Sequence, residues 1–364
     1  MAVERPLSPP PAGSRDGDGD GTDSTTAAAI LGGAGPVSKG KGPAAWAERI
    51  GGIWTLGVLI ALVLGFGFVA PNFYSRDNWL ATSQYAVEFM LLALGQTFVI
   101  ITAGIDLADG AMLGISSMVA ALLMSDLLGG HSGSPLITAA GFAAGLATGT
   151  VVGVVNGLII TKMKLTPFIA TLGTLGMATG ATFLLNGGAE VSNLPSQVAA
   201  IGNTVLVGWL PIPVLVAAFF CLVTWLLLSR TRFGLRTYAI GSNETAARRA
   251  GINVDRHLVW VYVISGFLSG VAGLLVMSRF SVGNPLAGAN DELDAIAAVV
   301  IGGASLFGGR GTIAGTIIGT FVISVLVTGL VLAHVQPFWQ QVAVGAVLIG
   351  AVWADQIRGR LRQR

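Results

Sequence analysis

The chain has 364 residues, 53% of them apolar and only 10% charged, with a formal net charge of +2 and a mean hydropathy of +0.76. A water-soluble domain carries about a quarter charged residues, so this composition excludes one and points to an integral membrane protein. The near-neutral balance argues for no nucleic-acid partner, and the single cysteine, Cys221, cannot form an intrachain disulfide.

The first forty-odd residues are rich in Pro, Gly, Asp, Thr and Ala and lack the basic start and apolar core of a secretory signal. Residues 1–46 therefore read as a disordered cytoplasmic tail. Within them "DGDGDG" (Asp16–Gly21) imitates the start of a calcium loop, but Ala27 stands where the bidentate Glu belongs.

From residue 47 to 356 the pattern is that of an all-α membrane domain. Apolar segments lie near 50–70, 82–102, 109–128, 135–161, 165–186, 212–229, 257–279, 294–307, 311–333 and 338–354, which predicts about ten transmembrane helices. The segment near 294–307 is short and broken by glycine, so a discontinuous or re-entrant element is expected there. Residues 357–364 form a basic tail. With the N-terminus inside and ten crossings, 18 of the 20 Lys and Arg fall on the cytoplasmic side, and only Arg76 and Arg279 fall outside. Both termini and the loop 230–256 are then cytoplasmic.

Two glycine stripes stand out. Gly141, Gly145, Gly149, Gly153 and Gly157 recur every fourth residue, as do Gly311, Gly315 and Gly319. Such stripes let helix backbones approach closely, and packing inside one chain is the expected use.

The most polar stretch after the tail is "GSNETAARRAGINVD" (Gly241–Asp255). Ser242 or Asn243 is suited to cap a helix, Glu244 to its first turn and Gly251 to a left-handed stop. A helix of roughly two turns, about 10 Å long, is predicted between them. Ala246, Ala247 and Ala250 leave one side smooth enough for docking. The chain contains no G-x-x-x-x-G-K-[ST] phosphate loop, so it is not expected to bind ATP in that way by itself. Ionisable residues at span depth, expected of a self-contained secondary transporter, are few: Glu88, Asp106, Asp109, Asp126 and Asp294.

Several long motifs resemble one family. They are "GQTFVIITAGIDLADGAMLG" (Gly95–Gly114), "TPFIATLGTLGMATG" (Thr166–Gly180), "SRTRFG" (Ser229–Gly234) and "YAIGSNETAARRAGINVDR" (Tyr238–Arg256). "VYVISGFLSGVAGLL" (Val261–Leu275), "ELDAIAAVVIGGASLFGGRGTIAGTIIG" (Glu292–Gly319) and "PFWQQ" (Pro337–Gln341) continue them. Over roughly 50–355 the chain resembles the ribose/xylose/arabinose-type sugar permeases of ABC importers. Members often carry Ser-Val where this chain has Ala108-Asp109, which adds a carboxylate.

The resemblance implies a compact permease bundle similar to vitamin B12-type importers, working as a homodimer in the bacterial plasma (inner) membrane. It further implies cytoplasmic ABC ATPases that bind ATP and Mg, an extracytoplasmic sugar-binding protein, and no cofactor or catalysis on this chain. Glu244, Ala246, Ala247, Arg248, Arg249, Gly251 and Ile252 then form the ATPase-coupling segment. Gln96, Asp106, Asp109, Asn156, Asn186, Gln340 and Gln341 are candidates for the translocation path, since a sugar hydroxyl needs hydrogen-bond partners. For Asp106 and Asp109 a helix end at the water boundary is the competing expectation. Asp291, Glu292 and Asp294 are candidate contacts for the binding protein, or plain solvated loop charges. "GGRG" (Gly308–Gly311) lacks a P-loop lysine and reads as a tight turn. His131, His257 and His334 share no metal-ligand spacing. Branched-chain amino acids or nucleosides are the alternative cargo, and a secondary transporter is the alternative class.

Overall fold

The computed structural model describes residues 43–127 and 134–362. The acidic tail with its calcium-loop look-alike, His131 and the last two residues lie outside the described residues, as does the side chain of Asp126. The chain divides into two units, Met1–Ala47 and Glu48–Arg364, and the larger contains the helical bundle.

Helices occupy all ten apolar segments: α1 (Pro43–Val69), α2 (Arg76–Ile101), α3 (Asp109–Leu122, continued by a π turn over Leu123–Leu127), α4 (Pro135–Lys162) and α5 (Pro167–Leu185). After a short α6 (Ser196–Asn203) and a two-residue-stranded hairpin, β1 (Val205–Leu206) and β2 (Leu210–Pro211), come α7 (Ile212–Arg230), α8 (Arg232–Ser242) and α9 (Glu244–Arg249). The chain ends with α10 (Val254–Phe280), α11 (Asp291–Ile301), α12 (Ile313–Leu332) and α13 (Pro337–Arg362). Six of these, α2, α4, α5, α7, α10 and α12, are long and apolar enough to cross a membrane by length and composition, and shorter apolar stretches lie in α1, α3 and α13. Helix α13 runs through the basic segment to Arg362.

Local chemistry sets the helix starts. The Ser75 hydroxyl accepts from the Asn78 amide at the head of α2, and the Thr312 hydroxyl from the Gly315 amide at the head of α12. Prolines in the first turn open α4, α5 and α7, where their missing N–H costs nothing.

Helix α2 lies at the centre. Every residue from Ala86 to Ile101 is buried, as expected of a helix apolar on all sides. The apolar windows of α2 and α10 are 83% and 72% buried, against 22% for α7, so α7 presents most of its apolar surface outward. The first glycine stripe packs within the same chain, Gly141 and Gly145 against α3 and its π turn and Gly149, Gly153 and Gly157 against α10. A Cβ on Gly149 would sit 2.5 Å from the Gly266 carbonyl oxygen, one on Gly157 2.8 Å from the Val259 Cα, and one on Gly153 would strike the Tyr262 carbonyl. On the second stripe, Gly315 and Gly319 face the carbonyls of Gly302 and Ala298 at the end of α11.

Two helices start or stop inside the bundle. Helix α3 begins at Asp109 after an irregular stretch from Thr102 to Ala108. The broken element expected near 294–307 is helical earlier, over Asp291–Ile301. Gly303 takes a left-handed φ of 93°, which ends the helix, and the turn at Ser305–Arg310 closes by Gly308 N–H to the Ser305 carbonyl, 3.0 Å. That turn is the "GGRG" feature.

Candidate coupling and translocation site

The polar island folds as a short capped helix. The Asn243 side chain accepts from the Ala246 amide, 2.9 Å, and Glu244 occupies the first turn. Gly251 has φ 80°, and its N–H bonds the Arg248 carbonyl while that of Ile252 bonds the Ala247 carbonyl. This is the left-handed stop expected of a glycine past a helix end. Helix α9 is six residues long, about 9 Å at 1.5 Å per residue, which agrees with the length expected.

The docking residues do not share one face. Ala247 is 4% exposed and packs with Ile240, Val254, Ile252 and Leu258, which fastens α9 to α8 and to the head of α10. Ala246, Arg249 and Ala250 are exposed. Arg248 is engaged by its own chain, bonding Asp255 and, at 2.9 Å, Glu244. These carboxylates, Asp255 first, push its guanidinium pKa up. Asp255 also bonds Lys164 at 2.9 Å, tying the α4–α5 connection into the same network. Arg249 makes no ion pair with any described residue. Over 245–251 the exposed residues outside this ion-pair network are therefore Thr245, Ala246, Arg249, Ala250 and Gly251, while Arg248 holds the segment's shape.

Beside α9 is a cavity of about 280 Å³. Glu244, Arg248, Lys164, Asp255, Thr102–Gly104 and Tyr262 are among the residues that line it. The Tyr262 hydroxyl is buried without a hydrogen-bond partner.

The "GIDL" carboxylates are buried inside the bundle. Asp106 is fully buried and accepts from the Ala108 amide at 3.0 Å and the Ser265 hydroxyl at 2.9 Å. Gln96 donates to the Asp106 carbonyl at 3.1 Å, leaving its own side-chain oxygen unpartnered. Asp109 is fully buried, with one oxygen on the Gly110 amide and the other without a partner. Asn156 is buried with neither amide atom bonded. These polar groups come from α2, α4 and the segment that opens α3.

Two clefts flank the start of α11. The larger, about 430 Å³, is lined by Tyr85, Asp291, Asp294, Gln340 and Gln341 among others. The smaller, about 200 Å³, is lined by Glu292 together with Thr179, Thr182 and the Pro285–Asn290 loop. The structure thus brings Asp291 and Asp294 to the same cleft as Gln340 and Gln341, and turns Glu292 to the other side. Gln340 donates to the Val335 carbonyl at 2.8 Å, so its amide also serves the turn into α13. Asn186 closes α5, donating to the Ala189 carbonyl, and lines neither cleft. Below the acidic start of α11, Glu88 pairs with Arg279 at 3.0 Å.

Sequence reasoning missed Tyr85, Thr182, Tyr262 and Ser265. The first three are single polar atoms in apolar helices with no local pattern to mark them. Ser265 is 159 residues from its partner Asp106. The Glu88–Arg279 pair had a signal: one acid and one base stranded in apolar spans require a counter-charge. Among the described residues, no group of three or more His, Cys, Asp or Glu is placed to hold a metal ion. His257 instead shares a 2.9 Å hydrogen bond with Thr237, pinning α8 to α10.

Residues 78–352 match the model of a family described as "branched-chain amino acid transport system / permease component". The ribose import permease protein of Bacillus subtilis is 42% identical over 301 residues, covering 82% of this chain and 90% of that one. That of Haemophilus influenzae is 38% identical over 305 residues, covering 83% and 92%. The D-allose transport system permease protein of Escherichia coli K12 is 33% identical over 317 residues, covering 85% and 92%. No solved structure matches the chain.

Proposed function

The chain belongs to the family of ABC-type transport permease components, a multi-pass inner-membrane protein, and from that premise we propose that it is the membrane subunit of an ATP-driven monosaccharide importer. One observation carries the cargo: relatives aligned over four-fifths or more of this chain are named for ribose, allose and fructose import. The larger cleft supports it. Two carboxylates, two carboxamides and a tyrosine stand there beside Leu293, Val327, Val344 and Leu348, a mixed lining that gives a sugar both hydrogen-bond partners and an apolar face.

The remaining architecture completes this reading. All ten apolar segments cross or enter the membrane with both termini inside, as the Lys and Arg distribution favours. Helices α3 and α11 are broken elements whose starts lie at depth, where irregular backbone is tolerated only beside protein or a wet cavity. Two copies form the path in an arrangement like the vitamin B12-type importers. Each α9 seats in a cytoplasmic ATPase, which holds ATP and Mg, and Asp291 and Asp294 line the path for sugar delivered by the binding protein. With delivery by a binding protein, the cleft needs only weak affinity, which speeds release.

The family description raises branched-chain amino acids as the competing cargo. A thermal-shift screen of the partner binding protein against pentoses, hexoses, leucine and isoleucine decides between them. Stabilisation by a monosaccharide and by neither amino acid is expected. Stabilisation by leucine or isoleucine alone overturns the sugar assignment.

A further inference from the structure

Helix α9 has two routes to the irregular stretch before α3. One crosses the cleft of about 280 Å³ that Glu244, Arg248 and Thr102–Gly104 line. Side chains that line a cleft move more freely than backbone in direct contact, so this route couples its two walls weakly. The other route is solid. Gly241, two residues before the Asn243 cap, lies directly on the end of α2. A Cβ there would strike the Ile101 carbonyl oxygen and sit 2.6 Å from the Gly309 nitrogen. Those two are bonded to each other, Gly309 N–H to the Ile101 carbonyl at 2.8 Å.

Neighbouring contacts make this a three-way joint. A Cβ on Gly308 would lie 2.8 Å from both the Ala103 Cβ and the Gly241 carbonyl oxygen, and one on Gly309 2.7 Å from the Ser242 hydroxyl. The Tyr238 hydroxyl, one turn earlier on α8, donates to the Gly311 carbonyl at 2.7 Å. Ala103 holds φ 61°, a conformation that stores strain in a residue other than glycine and that persists only when its surroundings enforce it. From Ile101 the chain runs through Ala103 to buried Asp106 and Asp109. From Gly309 it runs back to the end of α11, whose start lines both clefts.

We infer that Gly241 is a positioning residue for transport: its bare backbone passes one displacement of α9 to both broken elements at once, through Ile101 to α3 and through Gly309 to α11. This rests on the proposed importer function and adds the path by which nucleotide-driven motion reaches the clefts. A residue with any side chain must separate the three backbones, leaving α9 on its ATPase while the broken elements lag behind it.

The test uses the complete transporter, permease with its ATPase and binding protein, in proteoliposomes. Sugar uptake and ATP hydrolysis are measured on the same vesicles for wild type, Gly241→Ala, and Gly57→Ala as the control, since Gly57 has open space around it. Uptake per ATP hydrolysed should fall by about tenfold in Gly241→Ala, within the range of typical coupling energies, and stay at the wild-type value in the control. A wild-type ratio in Gly241→Ala overturns the inference, and so does dissociation of the ATPase, which would place Gly241 in docking. If Gly241→Ala lowers the folded yield, Tyr238→Phe gives the second reading, because it removes one hydroxyl and adds no bulk. Its ratio should fall about threefold to fivefold, and an unchanged ratio overturns the inference. Absence of ATP-dependent uptake in wild type would sink the importer reading itself, a result distinct from either variant's.

Discussion

The α4–α10 seam and the joint at Gly241 use the same device, backbone contact across missing side chains, to opposite ends. In the seam, Gly149, Gly153 and Gly157 meet α10 over successive turns, so contact is spread along the pair and neither helix can tilt without opening all of it. At the joint one residue meets the end of α2 and the Ser305–Arg310 turn at a point, beside a cleft of about 280 Å³. Spread contact makes a rigid body, whereas a point contact leaves a pivot.

Substitutions from seam to α9 test that contrast in order of expected effect. Gly153→Leu forces a large side chain into the Tyr262 carbonyl, and a loss above about 3 kcal/mol is expected, seen as failure to recover monodisperse protein from the membrane. Normal recovery and thermal midpoint would show the seam to be loose. Ala247→Trp overpacks the small cluster under α9 and should cost about 1–3 kcal/mol, less than the seam variant. Ala246→Trp, on the exposed side, should leave the thermal midpoint alone and abolish co-purification of the ATPase. Equal destabilisation by the two alanine variants would contradict the inward and outward faces assigned to α9.

Smaller effects complete the series. Gly251→Ala places a side chain at φ 80° with open space around it, so conformational strain alone acts, at about 1 kcal/mol. Calorimetry should show this while insertion stays normal. Arg248→Ala removes ion pairs at an exposed site and should cost less than about 1 kcal/mol, an effect erased by high salt. A larger, salt-independent loss would mean that Arg248 carries a buried role.

The elements were legible in the sequence because apolar length and caps are local properties. Each apolar segment, the Asn243 cap and the Gly251 stop could be read from neighbouring residues alone, and so could the packing use of the glycine stripes. The site was legible only in part. Gln340 and Gln341 were marked by polarity in an apolar span, but their meeting with Asp291 and Asp294 in one cleft depends on how α11 and α13 pack. The inward turn of Ala247 follows from contact with Ile240 and Val254, and a six-residue helix has too little periodicity to show which side is buried. Gly241 stood at the start of the quoted polar stretch, yet its partners Ile101 and Gly309 are far away in sequence, so no local pattern marked its part in the joint.

The account stands on the claim that this bundle moves solute only when an ATPase drives α9. Its most direct measurement is labelled-sugar accumulation in proteoliposomes containing loaded binding protein and ATP, with and without the ATPase subunits. Accumulation above the outside concentration is predicted only when the ATPases are present and hydrolysing. Accumulation by the permease without them, driven by an ion gradient or by nothing added, would contradict the account.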